Sequence, residues 1–179
     1  ATYMDGTTDI TRTYPLGPLT EDEKRFYTWT LQSHIDLAKA VWLDYCECKM
    51  IDTIAREPLW RHLINYRCGT GHSVSFVGNV HEGPHALNSR NTTRMRPGMV
   101  VTDEPGVYET DLVGIRIENE LVCVHKADNQ YGTFLGFEPL MFVPIATSPI
   151  LPGVLDKDEI AWLNDYHRQV FAKLAPHLN

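Results

Sequence analysis

The chain contains 179 residues with a mass of 20.4 kDa, of which 43% are hydrophobic and 22% are charged, a composition typical of one globular domain. Its net charge of −7 argues against nucleic acid as the main partner, because phosphate binding requires clustered Lys and Arg. No apolar run of about 18 residues is found in the sequence, so we predict no membrane span and expect a cytoplasmic protein.

The chain begins with a predicted β-hairpin. Residues 1–13 contain several β-branched side chains and alternate in strand fashion around a turn at Asp5-Gly6. Thr20 and Glu23 then form a capping box, which predicts a helix that runs to about residue 43. A second helix is predicted over residues 50–62, since the apolar residues keep the helical period in spite of a proline.

The second half of the chain is rich in predicted strands. Met99–Thr102, a turn at Pro105-Gly106 and Gly114–Val124 predict a second hairpin. Residues 132–147 predict a further strand region, around Phe137 and Met141–Ile145. Because the helices and strands lie in separate stretches of the chain and no repeat or linker is visible, the fold class is α+β.

A third helix is predicted near the end of the chain. Asp156 and Glu159 form the capping box that opens it. The helical period predicts a buried stripe along this helix, made of Ile160, Leu163, Val170, Phe171 and Leu174.

The four cysteines are too few for a disulfide scaffold in a chain of this length, and we expect them to be reduced. Cys46 and Cys48 are separated by one residue, a spacing unfavourable for a simple bridge. The pair is also weak evidence for a soft-metal site, because no second thiol or histidine pair stands near it in the sequence.

Four residues with metal-binding side chains lie in the predicted strands and loops. Asp9 lies on the first hairpin, His72 lies in the Gly-rich stretch CGTGHSVSFVGNVHEGP (68–84), and Glu104 and Glu118 lie on opposite arms of the second hairpin. Three carboxylates and one imidazole suit Mn²⁺ or a related divalent ion better than a thiolate-rich zinc site. The pattern therefore indicates a carboxylate-rich metal site.

Each of these residues also has an ordinary structural interpretation. Asp9 can serve a turn through local backbone hydrogen bonds, and His72 can be a core histidine. Glu104 precedes Pro-Gly and can be a solvated turn residue. Glu118 alternates with Ile115, Ile117 and Leu121, which predicts that it faces solvent on the opposite side of the strand. The pattern alone leaves both interpretations open.

Several segments of the sequence resemble those of a known protein family. The segments DGTTDITRTY, GTGH followed by NVHEGP, RPGMVVTDEPGVY and GIRIENELV closely resemble, in this order, the catalytic domain of the Xaa-Pro aminopeptidases, or aminopeptidases P. This family belongs to the pita-bread metallopeptidases, with methionine aminopeptidase, prolidase and creatinase. The tail segments FLGFEPLMFVPIATSPI and EIAWLNDYH resemble the C-terminal extension of the long subgroup of aminopeptidases P.

The resemblance implies part of a pita-bread fold, with a curved antiparallel sheet flanked by helices. Residues 1–127 would be the C-terminal portion of the catalytic domain, and residues 128–179 would be the extension. It also implies a substrate peptide with proline at the second position, two divalent ions, usually manganese, that activate a shared hydroxide, and possible homodimers. The implied metal ligands are Asp9, His72, Glu104 and Glu118.

The resemblance gives two further residues a role in the reaction, and it gives Glu104 a second one. His81 matches a histidine that contacts the substrate and steadies the tetrahedral intermediate, and Arg116 matches an arginine behind the metal ligands. Glu104 would take and return the proton of the attacking water. The Gly residues around His72 would let the backbone pass close to the metals.

The sequence departs from the family pattern at several positions. The family usually has histidine at the position of Cys68, and glycine at the positions of Ser73 and Ser75. A fifth ligand, an aspartate, would precede Ala1, so we expect one ion or none in this chain. Two alternatives to an aminopeptidase fragment stay open: a non-catalytic pita-bread module that binds a peptide or protein, and a dipeptidase like prolidase, against which the tail argues.

Overall fold

The computed structural model describes residues 1–178 as an α+β arrangement, as the sequence predicts. The helices are α1 (Glu21–Ala38), α2 (Cys48–Trp60) and α3 (Lys157–Leu174), and a 3₁₀ turn covers Ala175–His177. The strands are β1 (Thr2–Tyr3), β2 (Gly6–Thr7), β3 (Val41–Leu43), β4 (Gly71–Ser73), β5 (Glu82–Leu87), β6 (Val100–Asp103), β7 (Gly106–Glu109), β8 (Val113–Arg116), β9 (Asn119–Asn129) and β10 (Gly132–Pro139).

The main sheet has four antiparallel strands in the order β3-β10-β9-β6. Side chains of α1, α2 and this sheet form one buried cluster, which includes Leu37, Trp42, Ile51, Leu121 and Leu135. Burial of apolar surface contributes about 25 cal/mol per Å², so this cluster is a main source of stability. The other strands form three further antiparallel pairs, β1-β2, β4-β5 and β7-β8.

A second buried cluster attaches the C-terminal helix to the strands that lead toward Glu118. It joins residues of α1, of β8 and the segment just after it, and of α3, among them Tyr27, Leu31, Ile115, Ile117, Leu163, Tyr166 and Val170. The capping boxes predicted for α1 and α3 are both formed, at Thr20 with Glu23 and at Asp156 with Glu159. The elements that carry the candidate site are therefore held from two sides.

The sequence-based prediction for the first helix is wrong at its C-terminal end. α1 ends at Ala38, and Val41–Leu43 forms an edge strand instead of a last helical turn. These residues pair with Gly136, Leu135 and Phe134 of β10. The backbone hydrogen bonds of the sheet thus override the apolar helical period that continues through Trp42.

The prediction of the second hairpin is only partly correct. β6 pairs with β9 as expected, but the segment between them is no simple turn, because it forms the additional hairpin β7-β8. The strand predicted over 114–124 is accordingly interrupted at residues 117–118. The strand region predicted for 132–147 ends at Pro139, so Met141–Ile145 is irregular.

Two members of the predicted stripe of α3 are misplaced. Ile160 is 46% exposed and Phe171 is 75% exposed, while Tyr166 is buried. The first hairpin and α2 are confirmed, although α2 begins two residues earlier than predicted. The four cysteines are free, as expected, and burial raises the pKa of the Cys48 and Cys123 thiols to about 11. Across residues 1–178, none of the helices has the length and apolar character to cross a membrane.

Candidate metal centre

Asp9 lies just beyond the first hairpin, because β2 ends at Thr7. The extended segment that follows runs beside the start of β9: the Glu118 N–H donates to the Thr11 carbonyl at 3.0 Å. The Thr11 hydroxyl also donates to Oε2 of Glu118. The segment therefore brings Asp9 toward Glu118. The sequence predicted that Asp9 lies on the hairpin, whereas it lies in the segment that follows.

His72 lies in β4, which crosses closely over β6. A Cβ atom at Gly71 would lie 1.8 Å from the Thr102 carbonyl oxygen, so only glycine fits there. The glycine beside His72 thus allows contact with β6, whereas we had expected it to allow contact with the metals. The His72 N–H donates to the Thr102 hydroxyl at 2.9 Å, which fixes the backbone of the histidine.

The His72 ring is oriented by its two nitrogens. Nδ1 lies 3.0 Å from the Ser73 carbonyl, and because a carbonyl only accepts, Nδ1 carries a proton. Nε2 faces carboxylates, 3.0 Å from Oε1 of Glu104 and 3.5 Å from Oδ2 of Asp9. Burial lowers the pKa of His72, but the hydrogen bonds to Glu104 and Ser73 and the charges of Glu104 and Asp9 outweigh it and raise the pKa.

Glu104 follows β6 and is held on both carboxylate oxygens. Oε1 accepts from the Thr102 hydroxyl at 2.9 Å as well as from His72, and Oε2 lies 3.4 Å from Nη1 of Arg116. Burial raises the pKa of Glu104, but these hydrogen bonds and charges outweigh it, so the net pKa is lowered. Glu104 is therefore ionised at neutral pH and fixed in place.

Glu118 is 1% exposed, so the prediction of a solvent-facing residue is wrong. Alternation does not predict the burial of Glu118 because every residue from 117 to 121 is buried, so both faces of the chain are covered here. Burial raises its pKa to about 7; the Thr11 hydroxyl opposes this shift, and the charges of Glu104 and Asp9 add to it. A cation beside Glu118 would favour its ionised form.

The four predicted metal ligands are brought together. Asp9, His72 and Glu118 each offer a ligand atom, and these atoms all lie within 4.8 Å of one another, with Glu104 in contact with His72. Several carboxylates share one small volume, and a divalent ion would relieve their repulsion. Oxygen donors with one imidazole nitrogen suit Mn²⁺ and related ions, so the residues present fit such an ion.

The two other predicted residues lie beside this group. The exposed His81 packs against His72, with ring centroids 3.9 Å apart. Nε of Arg116 donates to the Tyr108 hydroxyl at 2.8 Å, while its Nη1 faces Glu104. Cys68 is exposed and lines a cleft of about 330 Å³ with Tyr108 and Arg116.

Sequence reasoning missed two residues of this region. Thr102, fully buried in β6, bridges the His72 N–H and Glu104, and Glu120, 5% exposed in β9, accepts the Asp9 N–H. Both were available from strand periodicity, because Thr102 stands two residues before Glu104 and Glu120 two residues after Glu118. Ser73 and Ser75, at two of the departures from the family pattern, are both buried.

Family models identify the chain. Residues 1–125 match the model of metallopeptidase family M24, and residues 133–179 match the C-terminal region of this family. The chain therefore belongs to metallopeptidase family M24. The predicted boundary between residues 127 and 128 falls between the two matched regions and stays a prediction.

Individual relatives give a more specific comparison than the family models do. The chain is 45% identical to aminopeptidase P2 of Arabidopsis thaliana and 42% identical to a probable Xaa-Pro aminopeptidase P of Coprinopsis cinerea, with 99% of the chain covered in each case. The crystal structure of X-prolyl aminopeptidase from Caenorhabditis elegans, described as a cytosolic enzyme with a di-nuclear active site, matches 99% of the chain with a TM-score of 0.92 and 38% identity. These findings confirm the resemblance and the pita-bread fold.

The similarity is limited by how much of each protein is covered. The chain spans 26%, 30% and 29% of the length of these three relatives. Prolidase from Pyrococcus furiosus is similar over only 77% of the chain, with a TM-score of 0.65 and 28% identity. The chain is thus similar to aminopeptidases P over nearly its whole length, including the C-terminal part.

Proposed function

We propose that the whole protein that carries this chain is a metal-dependent aminopeptidase, which releases the N-terminal residue from peptides with proline at the second position. The observation that carries the proposal is the convergence of Asp9, His72, Glu104 and Glu118 in a chain similar over 99% of its length to an X-prolyl aminopeptidase. This chain supplies part of the active site of that protein.

The same four residues are the proposed metal ligands. Manganese is the ion we propose, since carboxylate oxygens and one imidazole suit it. The di-nuclear site described for the Caenorhabditis elegans relative supports two ions in the whole protein. When bound, such ions lower the pKa of water and polarise the scissile carbonyl.

Glu104 is the proposed general base. The Thr102 hydroxyl holds Oε1 and Arg116 holds Oε2, and both lower its pKa, so the carboxylate is ionised and oriented before substrate arrives. It takes a proton from the attacking water and returns it to the leaving proline nitrogen. Arg116 acts by holding Oε2 of Glu104, and the Tyr108 hydroxyl holds Arg116 in turn.

His81 is the proposed substrate-contacting residue. It lies on the exposed side of the His72 ring, where a peptide can reach it. Its ring N–H donates to the oxygen of the scissile carbonyl as negative charge develops there. A cytoplasmic location, supported by the description of the Caenorhabditis elegans relative, and a homodimer remain predictions.

The proposal is tested with the whole protein and the peptide Arg-Pro-Pro. We expect release of Arg with Mn²⁺, loss of activity in EDTA, and no release from Arg-Ala-Ala. Glu104→Gln should lower kcat by about 100-fold or more, as expected for loss of a general base. Glu109→Gln is the matched control, because Glu109 is an exposed carboxylate on β7 in the same region, and its kcat should not change.

The alternatives give different results in the same assay. Tight binding of Arg-Pro-Pro without any hydrolysis would identify a peptide-binding module and contradict the proposal. Cleavage of Ala-Pro without cleavage of Ala-Pro-Ala would identify a dipeptidase. The metal content of this 179-residue chain, after loading with Mn²⁺ and desalting, tests the ligand set separately: about one retained ion per chain is expected.

A further inference from the structure

Glu120 is a buried carboxylate to which neither the sequence pattern nor the proposed reaction gives a role. It lies in β9 and is 5% exposed. In the sheet it stands opposite Thr102 of β6, the residue whose hydroxyl bridges His72 and Glu104. Because residues two apart in a strand share a face, Glu120 continues the row of polar side chains toward the proposed metal ligands.

The contact that Glu120 makes is specific. Its Oε1 accepts the backbone N–H of Asp9 at 2.8 Å. β2 ends at Thr7, so Asp9 lies outside the β1-β2 ladder, and this carboxylate takes the place of a strand partner. A partly buried backbone N–H without an acceptor costs free energy, so this contact holds the backbone at Asp9.

We propose that Glu120 is a positioning residue that fixes Asp9 for metal binding. With its N–H held by Glu120, Asp9 presents Oδ2 at 3.5 Å from Nε2 of His72. The role rests on the metal centre proposed above. Partners that hold metal ligands from behind typically contribute about 10–100-fold to metal affinity.

The test compares two substitutions of different chemistry in the 179-residue chain. Glu120→Met has a similar length but offers no strong acceptor, and we expect it to weaken Mn²⁺ binding about 10-fold or more. Glu120→Gln keeps an oxygen that accepts the Asp9 N–H, so its affinity should stay within about threefold. Glu138→Gln, which removes one exposed carboxylate from β10 of the same sheet, is the control for net charge.

Three measurements are needed on each variant: Mn²⁺ affinity by calorimetry, unfolding temperature in EDTA, and hydrogen exchange of the Asp9 amide. A purely structural role would lower the unfolding temperature of Glu120→Met and leave the affinity of the folded protein unchanged. Positioning requires lower affinity, faster exchange at Asp9 and rescue of both by Glu120→Gln.

The outcomes separate this inference from the proposed function. Failure of the unaltered chain to bind Mn²⁺ would show that the four ligands do not assemble in this chain, and it would overturn this inference without deciding the function of the whole protein. Binding of equal strength in the unaltered chain and Glu120→Met would overturn the role of Glu120 alone. An equal loss in Glu120→Gln and Glu120→Met would show that charge acts and not the hydrogen bond. If Glu120→Met does not fold, more than 10-fold faster exchange of the Asp9 amide in Glu120→Gln with unchanged Mn²⁺ affinity would overturn the proposal.

Discussion

Two polar clusters meet at the segment of residues 9–12, and their charges are balanced in opposite ways. The carboxylate cluster consists of Asp9, His72, Glu104, Glu118 and Glu120. The arginine cluster consists of Arg12, Asn119, Tyr166 and the backbone carbonyls around them. The first cluster has several acids and few cations, whereas the second has one cation surrounded by neutral acceptors.

Hydrogen bonds within the arginine cluster satisfy the guanidinium group of Arg12. Nη2 of Arg12 donates to Oδ1 of Asn119, the Val143 carbonyl and the Tyr166 hydroxyl at 2.7–2.8 Å. Its Nη1 donates to the carbonyl oxygens of Thr11 and Glu118. In the carboxylate cluster, in contrast, burial raises the pKa of Glu118 to about 7, and the charges of Glu104 and Asp9 add to this shift. A buried cluster whose acids lack balancing cations indicates a binding site. A buried cluster whose hydrogen bonds are complete indicates a structural link between chain segments.

The largest effect on stability is expected from Arg12→Met. The substitution leaves the carbonyl of Glu118 and the side chain of Asn119 without their donor, so the free energy of unfolding should fall by about 3 kcal/mol. Arg168→Met is the matched control, because Arg168 forms an exposed pair on α3 and its loss should cost less than about 1 kcal/mol. Denaturant titration of both variants measures the difference, and equal losses would contradict a structural role for the arginine cluster.

Glu118→Gln should show the opposite behaviour. Removal of a ligand carboxylate should weaken Mn²⁺ binding about 100-fold, equivalent to about 2.7 kcal/mol. The metal-free chain should unfold at the same or a higher temperature, because the substitution removes a buried group that resists ionisation. Calorimetric Mn²⁺ titration and thermal unfolding in EDTA check the two parts. A marked loss of stability in EDTA would place Glu118 among the structural residues.

The pH dependence of the metal-free chain separates the clusters further. Glu118 and His72 have raised pKa values in the folded state, so the folded chain binds their protons more tightly than the unfolded chain does. Their contribution to stability is complete below the unfolded pKa values and is lost as pH rises through the folded ones. The free energy of unfolding in EDTA should therefore fall between pH 5 and pH 8, by about 2 kcal/mol after allowance for screening.

The control for this pH dependence is Glu118→Gln, in which most of the fall should disappear. Glu104 does not contribute in this range, since its pKa is lowered and its contribution is lost only at lower pH. Arg12 keeps its charge throughout. A fall of the same size in Glu118→Gln would show that the pH dependence arises outside the carboxylate cluster.

The sequence predicted the two clusters unequally. The four ligands of the carboxylate cluster were recognised because their motifs are short and literal, although periodicity alone made Glu118 an exposed strand residue. Periodicity failed at Glu118 because both faces of the chain are covered there, so Glu118 and Glu120 are buried as well as Ile117 and Leu121. The third helix was predicted through its capping box, a local signal at Asp156 and Glu159.

The arginine cluster was not predicted at all. Its contacts join Arg12 to Asn119, Val143 and Tyr166, which lie 107 to 154 residues further along the chain. Nothing in the local pattern of a single sequence encodes such a pairing. The same reason explains the end of α1, where β10, about 90 residues later in the chain, captures Val41–Leu43 as a strand.

The smallest effect is expected from Tyr166→Phe, which tests whether the C-terminal helix supports the site. The Tyr166 hydroxyl accepts from Arg12 at 2.8 Å and lies 3.1 Å from the Met141 carbonyl, so its removal should lower the free energy of unfolding by about 1 kcal/mol. Mn²⁺ affinity should stay within about twofold, because Arg12 keeps its bonds to Asn119 and to the Glu118 carbonyl. Loss of affinity without loss of stability would show that the arginine cluster sets the geometry of the metal ligands, and that the two clusters act as one.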